Sequence, residues 1–513
     1  MQRIAKVLSF ILFVLVPFGI QARTLNFIDK TDIAQHLDKN LWFAGNNAAG
    51  ISFSSLSDYN IVNSSFKYKN GDFLLMQEGK NSSAVSFDTQ GAVKKGKFSL
   101  WGLFNYNLEN INKSYFNTLL FNPFDERLLY NVADTVESTW NRQCYQMTFK
   151  ASAPLMEDKL SLGMQVSYSD RIASKQNDPR AESYSYILDV KPSFVWKLGK
   201  IKIGGYALYS HLLERTAPTL SNGSEIQRVY MLRGLGNFIN EIVGQSGLRT
   251  MYYFINSFGG GVQFAFNAPS VQMICDIGAV VNNSITRHGA INPRMIGNVA
   301  VFEYYTSFDF LYGKRFNNKI SLRVDRHSSY GTEYTTIIDK DSGNWNIVSD
   351  AVMSTYETTS VMLLWRKYIM HGDTRRWLLE TNILWKDKRD RYLLPKSWLF
   401  YDNLKFTSIV KRHFNAGGSS LDLGGIFSLK KNISGEYVYS GSKSSSPPVR
   451  NWYTHDTKVL TSDYIRCGID VDWTFPIKNA INFSIHSDVG TMYALCNRGM
   501  YMFDASCGIS IIF

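Results

Sequence analysis

Two histidine pairs and one set of carboxylates are the residues of this chain whose types and spacing can do chemistry. In "RHSSYG", His327 and Ser329 lie two apart, so on a strand both reach the same face. A histidine beside a serine is the pairing that activates a hydroxyl nucleophile. "IHSDVG" sets His486 and Asp488 at the same spacing, with no nucleophile at a matching position. Near the C-terminus, Asp470, Asp472, Asp488 and Asp504 recur in three successive segments, with Arg466 close by. Gathered on a pore wall, such charges either form a constriction that selects solutes or neutralise one another as a salt-bridge network. Their mixed signs suit the network better. A chain with 8 histidines and abundant serines produces His–Ser spacings by chance, and no third residue completes a triad. The five cysteines (Cys144, Cys275, Cys467, Cys496, Cys507) are scattered and lack any CxxC spacing, which speaks against a zinc site or a disulfide framework. The residues therefore point to no enzyme, no metal and no cofactor.

What must position these residues is a series of alternating segments. In "SYSYILDVKPSFVW", Tyr184, Tyr186, Leu188, Val190, Phe194 and Trp196 share one face, against Ser185, Asp189, Lys191 and Ser193. "FEYYTSFDFLY" opposes Phe302, Tyr304, Phe308, Phe310 and Tyr312 to Glu303, Ser307 and Asp309. "IRCGIDVDWTF" does the same. Such segments, about ten to sixteen residues each, are joined alternately by a short and a long connection. The short ones (93–97, 153–159, 197–200, 267–270, 313–319, 370–376, 415–420, 475–479) carry the Gly, Asn, Pro and Lys of tight turns. The long ones fall near 109–138, 171–182, 212–250, 285–300, 328–351, 386–399 and 433–459. Sorting loops by length at alternate ends has no purpose in a soluble sandwich and is the rule in a transmembrane barrel. The expectation is an all-β chain: an antiparallel up-and-down transmembrane β-barrel of about 18 strands, 16 also fitting, with short periplasmic turns and long extracellular loops.

The ends of the chain agree. Arg3 and Lys6 precede the apolar block "VLSFILFVLVPFGI", and Gln21-Ala22 offers an exit, so 1–22 reads as a cleaved signal peptide. Residues 23–54 form an N-terminal segment, and 55–513 the barrel. At the C-terminus, Tyr501, Phe503, Ala505, Cys507, Ile509, Ile511 and Phe513 make one apolar face, with Ile512 the exception. The 14% aromatic content suits water–lipid interfaces, and Trp101, Trp196, Trp365, Trp377, Trp385 and Trp473 lie near expected strand ends. A formal charge of +12, spread through turns and loops of an exported chain, does not indicate nucleic acid as a partner. The lumen of an ~18-strand barrel is wide enough for water unless something fills it. Two segments are candidates to do so: 23–54, containing "LWFAGNNAAGISF", and the longest connection, 212–250. Each reads equally as an exposed arm.

The leader, the Tyr/Trp-rich hairpins and the terminal Phe513 resemble Gram-negative outer-membrane barrels. That resemblance implies outer-membrane lipid as surroundings and the barrel-assembly machinery as a partner, with Phe513, Ile511 and Ile509 as the assembly signal. "NPFDERLLYNVADTVESTWNRQCYQMTF" (122–149), followed by 160–170, is similar to an uncharacterised Bacteroidetes barrel family with no assigned activity. Barrels encoded beside TonB-dependent receptors imply a role in nutrient uptake, with such a receptor or a surface lipoprotein as partner. "GNNAAG" (45–50) resembles the Asn-Pro-Ala-Gly segment of FadL-type transporters of hydrophobic compounds, with Asn47 in place of the proline. It implies a hatch at 23–54 and an apolar ligand. The His-x-Ser pair resembles the outer-membrane phospholipase motif His-x-Ser-Asn-Gly, but Tyr330 replaces the Asn and His327 falls on the lumen face.

Overall fold

The computed structural model describes residues 30–42, 45–53, 58–156, 159–244, 247–372, 374–416, 418–478, 481–496 and 499–513. The signal peptide expected at 1–22 and part of the N-terminal segment, 23–29, lie outside the described residues. A helix, α1 (Lys30–Lys39), and a 3-10 turn, Ala48–Phe53, precede the strands. These run β1 (Tyr59–Gly71), β2 (Asn81–Lys95), β3 (Phe98–Ser114), β4 (Val132–Ala133), β5 (Ser138–Leu155), β6 (Leu160–Lys175) and β7 (Arg180–Leu198). Then come β8 (Ile201–Thr219), β9 (Gln227–Gly234), β10 (Asn237–Val243), β11 (Met251–Ala268), β12 (Val271–His288), β13 (Arg294–Tyr312) and β14 (Asn318–Ile338). The last seven are β15 (Trp345–His371), β16 (Thr374–Tyr392), β17 (Ser397–Ala416), β18 (Ser419–Tyr439), β19 (Tyr464–Lys478), β20 (Ile481–Ala494) and β21 (Tyr501–Ile512), with a second helix, α2 (Thr454–Leu460), between β18 and β19.

All strands but β4, β9 and β10 belong to one 18-stranded antiparallel sheet. Its pairing of β1 with β21, from Ile61 opposite Ile512 to Gly71 opposite Met502, closes it into a barrel and leaves no sheet edge along that seam. β4, β9 and β10 form a separate three-stranded sheet. Each hairpin turn expected from Gly, Asn and Lys lies at the same end of the barrel as the start of β1 and the end of β21. The longest connections, 115–137, 220–250 and 440–463, lie at the other end, beside short ones at 176–179 and 393–396.

The alternation sorts the wall as expected. On β7, Tyr184, Phe194 and Trp196 are exposed outward, whereas Ser185, Ser193 and Val195 are buried within. On β21, Tyr501, Cys507, Ile509 and Ile511 face out. Toward the loop end the outer face changes character, and Arg326, Glu357, Asp387 and Arg389 replace apolar residues there.

Two expectations are corrected. First, the barrel strands run from 12 residues in β21 to 27 in β15, so much of 171–182, 285–300, 328–351 and 386–399 is wall rather than loop, whereas 440–463 is a connection as expected. "KDKRDRY" (386–392) reads as loop because both faces are charged. In the barrel its outward members, Asp387 and Arg389, pair with each other above the apolar band, and its inward members meet charges inside. Second, Trp101 is no outward aromatic. Its indole N–H donates to the Tyr59 hydroxyl (3.2 Å) and Lys150 sits over its ring at 5.4 Å, both on the inner wall. Trp196 and Trp473 do face outward.

Candidate functional site

Inside the wall, the turn end of the barrel is lined by the N-terminal segment. In α1, Ile33 packs with Tyr59, Ile61 and Ile512. The exception in the C-terminal alternation thus faces inward, under α1. At the helix end, Asp38 pairs with Arg366 of β15 and accepts from the Tyr368 hydroxyl at 3.0 Å, while Glu380 of β16 holds the other side of Arg366 at 2.6 Å. Trp42 and Leu41 then meet Val195, Ala265, Ile274 and Leu311, apolar residues on the inner face of β7, β11, β12 and β13.

The 45–53 stretch is stitched more tightly. The Asn47 amide donates to the Phe194 carbonyl (2.9 Å) and accepts from the Ala49 N–H (3.0 Å). Ala49 N–H also meets the Ser193 hydroxyl (3.1 Å), and Ser161 donates to the Ala49 carbonyl (2.9 Å). Ser52 donates to Ser152 at 2.7 Å. Gly163 is what lets the backbone come so close: a Cβ there would lie 2.2 Å from the Ala49 nitrogen. By contrast Gln35 Nε2, Asn40 Nδ2 and Trp42 Nε1 are buried without hydrogen-bond partners, each a cost to docking the 30–42 arm.

The loop end is covered by three connections that fold together. Val132 and Ala133 of β4 pair with β9, and β9 with β10, so the connections 115–137 and 220–250 share a sheet. The third connection adds Trp452, stacked on Phe116 at 5.3 Å, and Tyr453, stacked on Tyr437 of β18 at 5.2 Å. Apolar side chains of the first two connections merge with inward residues of the wall, among them Trp140, Leu212, Tyr253, Val299 and Val301. Polar bonds fix the edges. Lys175 of β6 meets Asp134 at 2.6 Å in a fully buried pair, and Phe121 N–H donates to Glu214 at 2.8 Å.

At the lowest reach of this cap, Glu126 enters a cluster of Lys388 and His327, the latter at 3.2 Å. Burial would raise the Glu126 carboxyl, but His327 and Lys388 outweigh it and hold it at about 2. Asp456 of α2 is the opposite case. Burial pushes it up to about 7, although the Met76 N–H (2.9 Å) and the Trp452 indole N–H (2.8 Å) both bond it.

Between these two covers lies a lumen whose wall, from β14 round through β1, is charged. Arg323 and Asp325 pair at 2.8 Å on the inner face of β14, and Arg323 remains exposed, as does Lys67 on β1, so solvent space persists there. The five charges singled out from the sequence all line this lumen. Arg466 and Asp504 bond at 2.6 Å. Asp470 and Asp472 share Lys411, the latter at 3.8 Å, and Asp488 accepts from Ser506. His327 turns to Glu126 and Glu303, while Ser329 is buried, so the His–Ser spacing does not assemble a nucleophile. Phe513 exchanges backbone bonds with Asn60, at 2.7 and 3.0 Å. The contacts of Asp38, Arg366, Glu126 and Lys388 were not readable in the sequence, because their partners lie hundreds of residues away.

Among solved structures, the barrel is similar to the outer-membrane transporter YddB from Escherichia coli. Identity is 9%, TM-score 0.42, and coverage 89% of this chain and 81% of that one. The ferric yersiniabactin uptake receptor FyuA from Yersinia pestis stands at 8%, 0.41, and coverage of 89% and 80%. A FadL homologue from Pseudomonas aeruginosa stands at 8%, 0.34, and coverage of 91% and 92%. Likeness this distant adds nothing on function. No curated protein matches the chain. Residues 48–513 match one family model throughout, and the chain belongs to that family, the family of unknown function DUF6850.

Proposed function

We propose that this chain is an integral outer-membrane barrel of a Gram-negative cell, whose lumen is a gated path for small polar solutes and whose residues 23–54 are the plug. One juxtaposition supports the reading: an apolar outer band, a charged inner wall, and chain folded inward across both mouths. An apolar band around a closed barrel is stable in lipid because every strand edge is paired. Strands of up to 27 residues exceed the ~10 needed to cross, so the wall projects into water where Asp387 and Arg389 stand. In this orientation the short turns and α1 are periplasmic and the three-loop cap is extracellular. Lys67, Arg323, Asp325 and Lys405 on the inner wall suit a polar cargo better than the apolar ligand of a FadL-type carrier.

Conductance in planar bilayers tests it. The whole barrel should pass little current, and a barrel lacking 23–54 should open by at least tenfold. Equal conductance of the two would overturn the plug. Phe513, with Ile509 and Ile511, is proposed as the assembly signal: deleting Phe513 should lower outer-membrane yield, and a normal yield sinks that part.

A further inference from the structure

Below the cap, on the β5–β7 side, the inner wall holds a cavity of about 280 Å³ that none of the contacts above occupies. Its lining includes Phe121 from the 115–137 connection, Gln146, Ser167, Ser169, Arg171 and Asp189. Arg171 lies over the Phe121 ring at 5.3 Å and makes no hydrogen bond or ion pair among the described residues. Asp189 makes none either: Arg127 above it is taken by Asp125 at 2.7 Å, and Lys191, the next inward residue of β7, forms no ion pair with it. Behind Phe121, at 5.7 Å, a second guanidinium, that of Arg142, keeps Nε and Nη2 buried and unpartnered. Two opposite charges are thus held apart at the ends of one cavity, with hydroxyl and amide groups between them.

The register gives the separation. Arg171 stands opposite Ser185 and Ser167 opposite Asp189, so the two charges are four residues apart along the wall, about 13 Å between backbones at ~3.3 Å per residue. An extended chain of three residues, at ~3.5 Å each, covers about 10 Å of that distance. We infer that this cavity binds a short zwitterionic peptide, its carboxylate at Arg171 and its ammonium at Asp189. A guanidinium matches a carboxylate through paired N–H donors, and a carboxylate that accepts no hydrogen bond from the cations near it, here Arg127 and Lys191, keeps its oxygens for an ammonium group. As a statement about cargo, it rests on the transport reading above; as a binding site, it does not.

Trialanine titrated calorimetrically into the purified barrel is the test, beside trialanine acetylated at its amino end and trialanine blocked at both ends. Free trialanine should bind, and the doubly blocked form should bind at least tenfold more weakly. Arg171→Gln and Asp189→Asn should each weaken trialanine at least tenfold in barrels that keep their heat-resistant folded mobility on gels. Asp189→Asn should not weaken the acetylated peptide further, since its ammonium is already gone. Equal binding of free and doubly blocked trialanine, or unchanged binding in both folded variants, overturns the inference. Conductance of the barrel lacking 23–54, measured on the same preparation, reports on the path separately from the site.

Discussion

The two mouths of the barrel are both covered from within, and they are covered by different physics. At the turn end a single segment, continuous with β1, is fastened at 45–53 by short side-chain and backbone hydrogen bonds. Its 30–42 arm is held by the Asp38–Arg366 pair and by apolar contacts of Ile33, Leu41 and Trp42, and it buries three unpartnered polar atoms on the way. At the loop end, two connections distant in sequence share a sheet, and a third packs onto them and onto the wall in apolar clusters. Apolar packing of that kind is lost only when the whole unit comes away, because removing one piece leaves a cavity for the others. A polar stitch can be undone bond by bond. If the lumen is gated as proposed, this contrast puts the movement at the turn end and leaves the loop end fixed.

The largest effect should come from the cap core. Trp452→Ala removes the ring stacked on Phe116, and a buried tryptophan costs about 3–5 kcal/mol. Protease nicking within 440–463 should rise sharply while conductance stays low, since the turn end remains closed. A conductance rise as large as that from deleting 23–54 would erase the distinction between the two mouths.

Smaller changes at the turn end should do the reverse. Asp38→Asn weakens the Arg366 latch, and Gly163→Ala drives a methyl into the Ala49 backbone. Each should raise open probability several-fold without exposing the cap. Gly102→Ala, with nothing within 4 Å of the new methyl, is the control and should change nothing. Silence of both variants in single-channel recordings would mean the arm is as rigid as the cap.

The mildest effect is one of pH. Asp456 rises from 3.8 to about 7 in the folded cap, so its contribution is fully present below about pH 4 and is lost as pH climbs through about 7. Glu126, lowered to about 2, contributes above about pH 4.5 and loses this only as pH falls toward 2. Hydrogen exchange in 447–460, corrected for intrinsic rates, should therefore speed up between pH 5 and pH 8. Asp456→Asn should flatten that slope; an unchanged slope would place the sensitivity elsewhere.

Much of this was legible in the chain. Alternation at Tyr184–Trp196 or Phe503–Ile511 needs only the two-residue period of a strand, a local property, and it set the wall, the strand count and which charges face inward. The deviations were legible only as oddities. Ile512 broke the pattern because α1 covers it, and "KDKRDRY" looked like loop because charge on both faces cannot be told from charge in water. Trp101 carried an interface residue's identity and an inner-wall residue's contacts.

By itself, then, the sequence determined a closed membrane-type barrel, since each strand's two faces are written in its own residues and neighbouring strands pair through short turns. Only the tertiary structure decided what fills it. Asp38 meets Arg366 across 328 residues, Glu126 meets Lys388 across 262, and Arg171 and Asp189 come to opposite ends of one cavity. Such contacts follow from closure of the ring and from where connections fold back, and no local period records them.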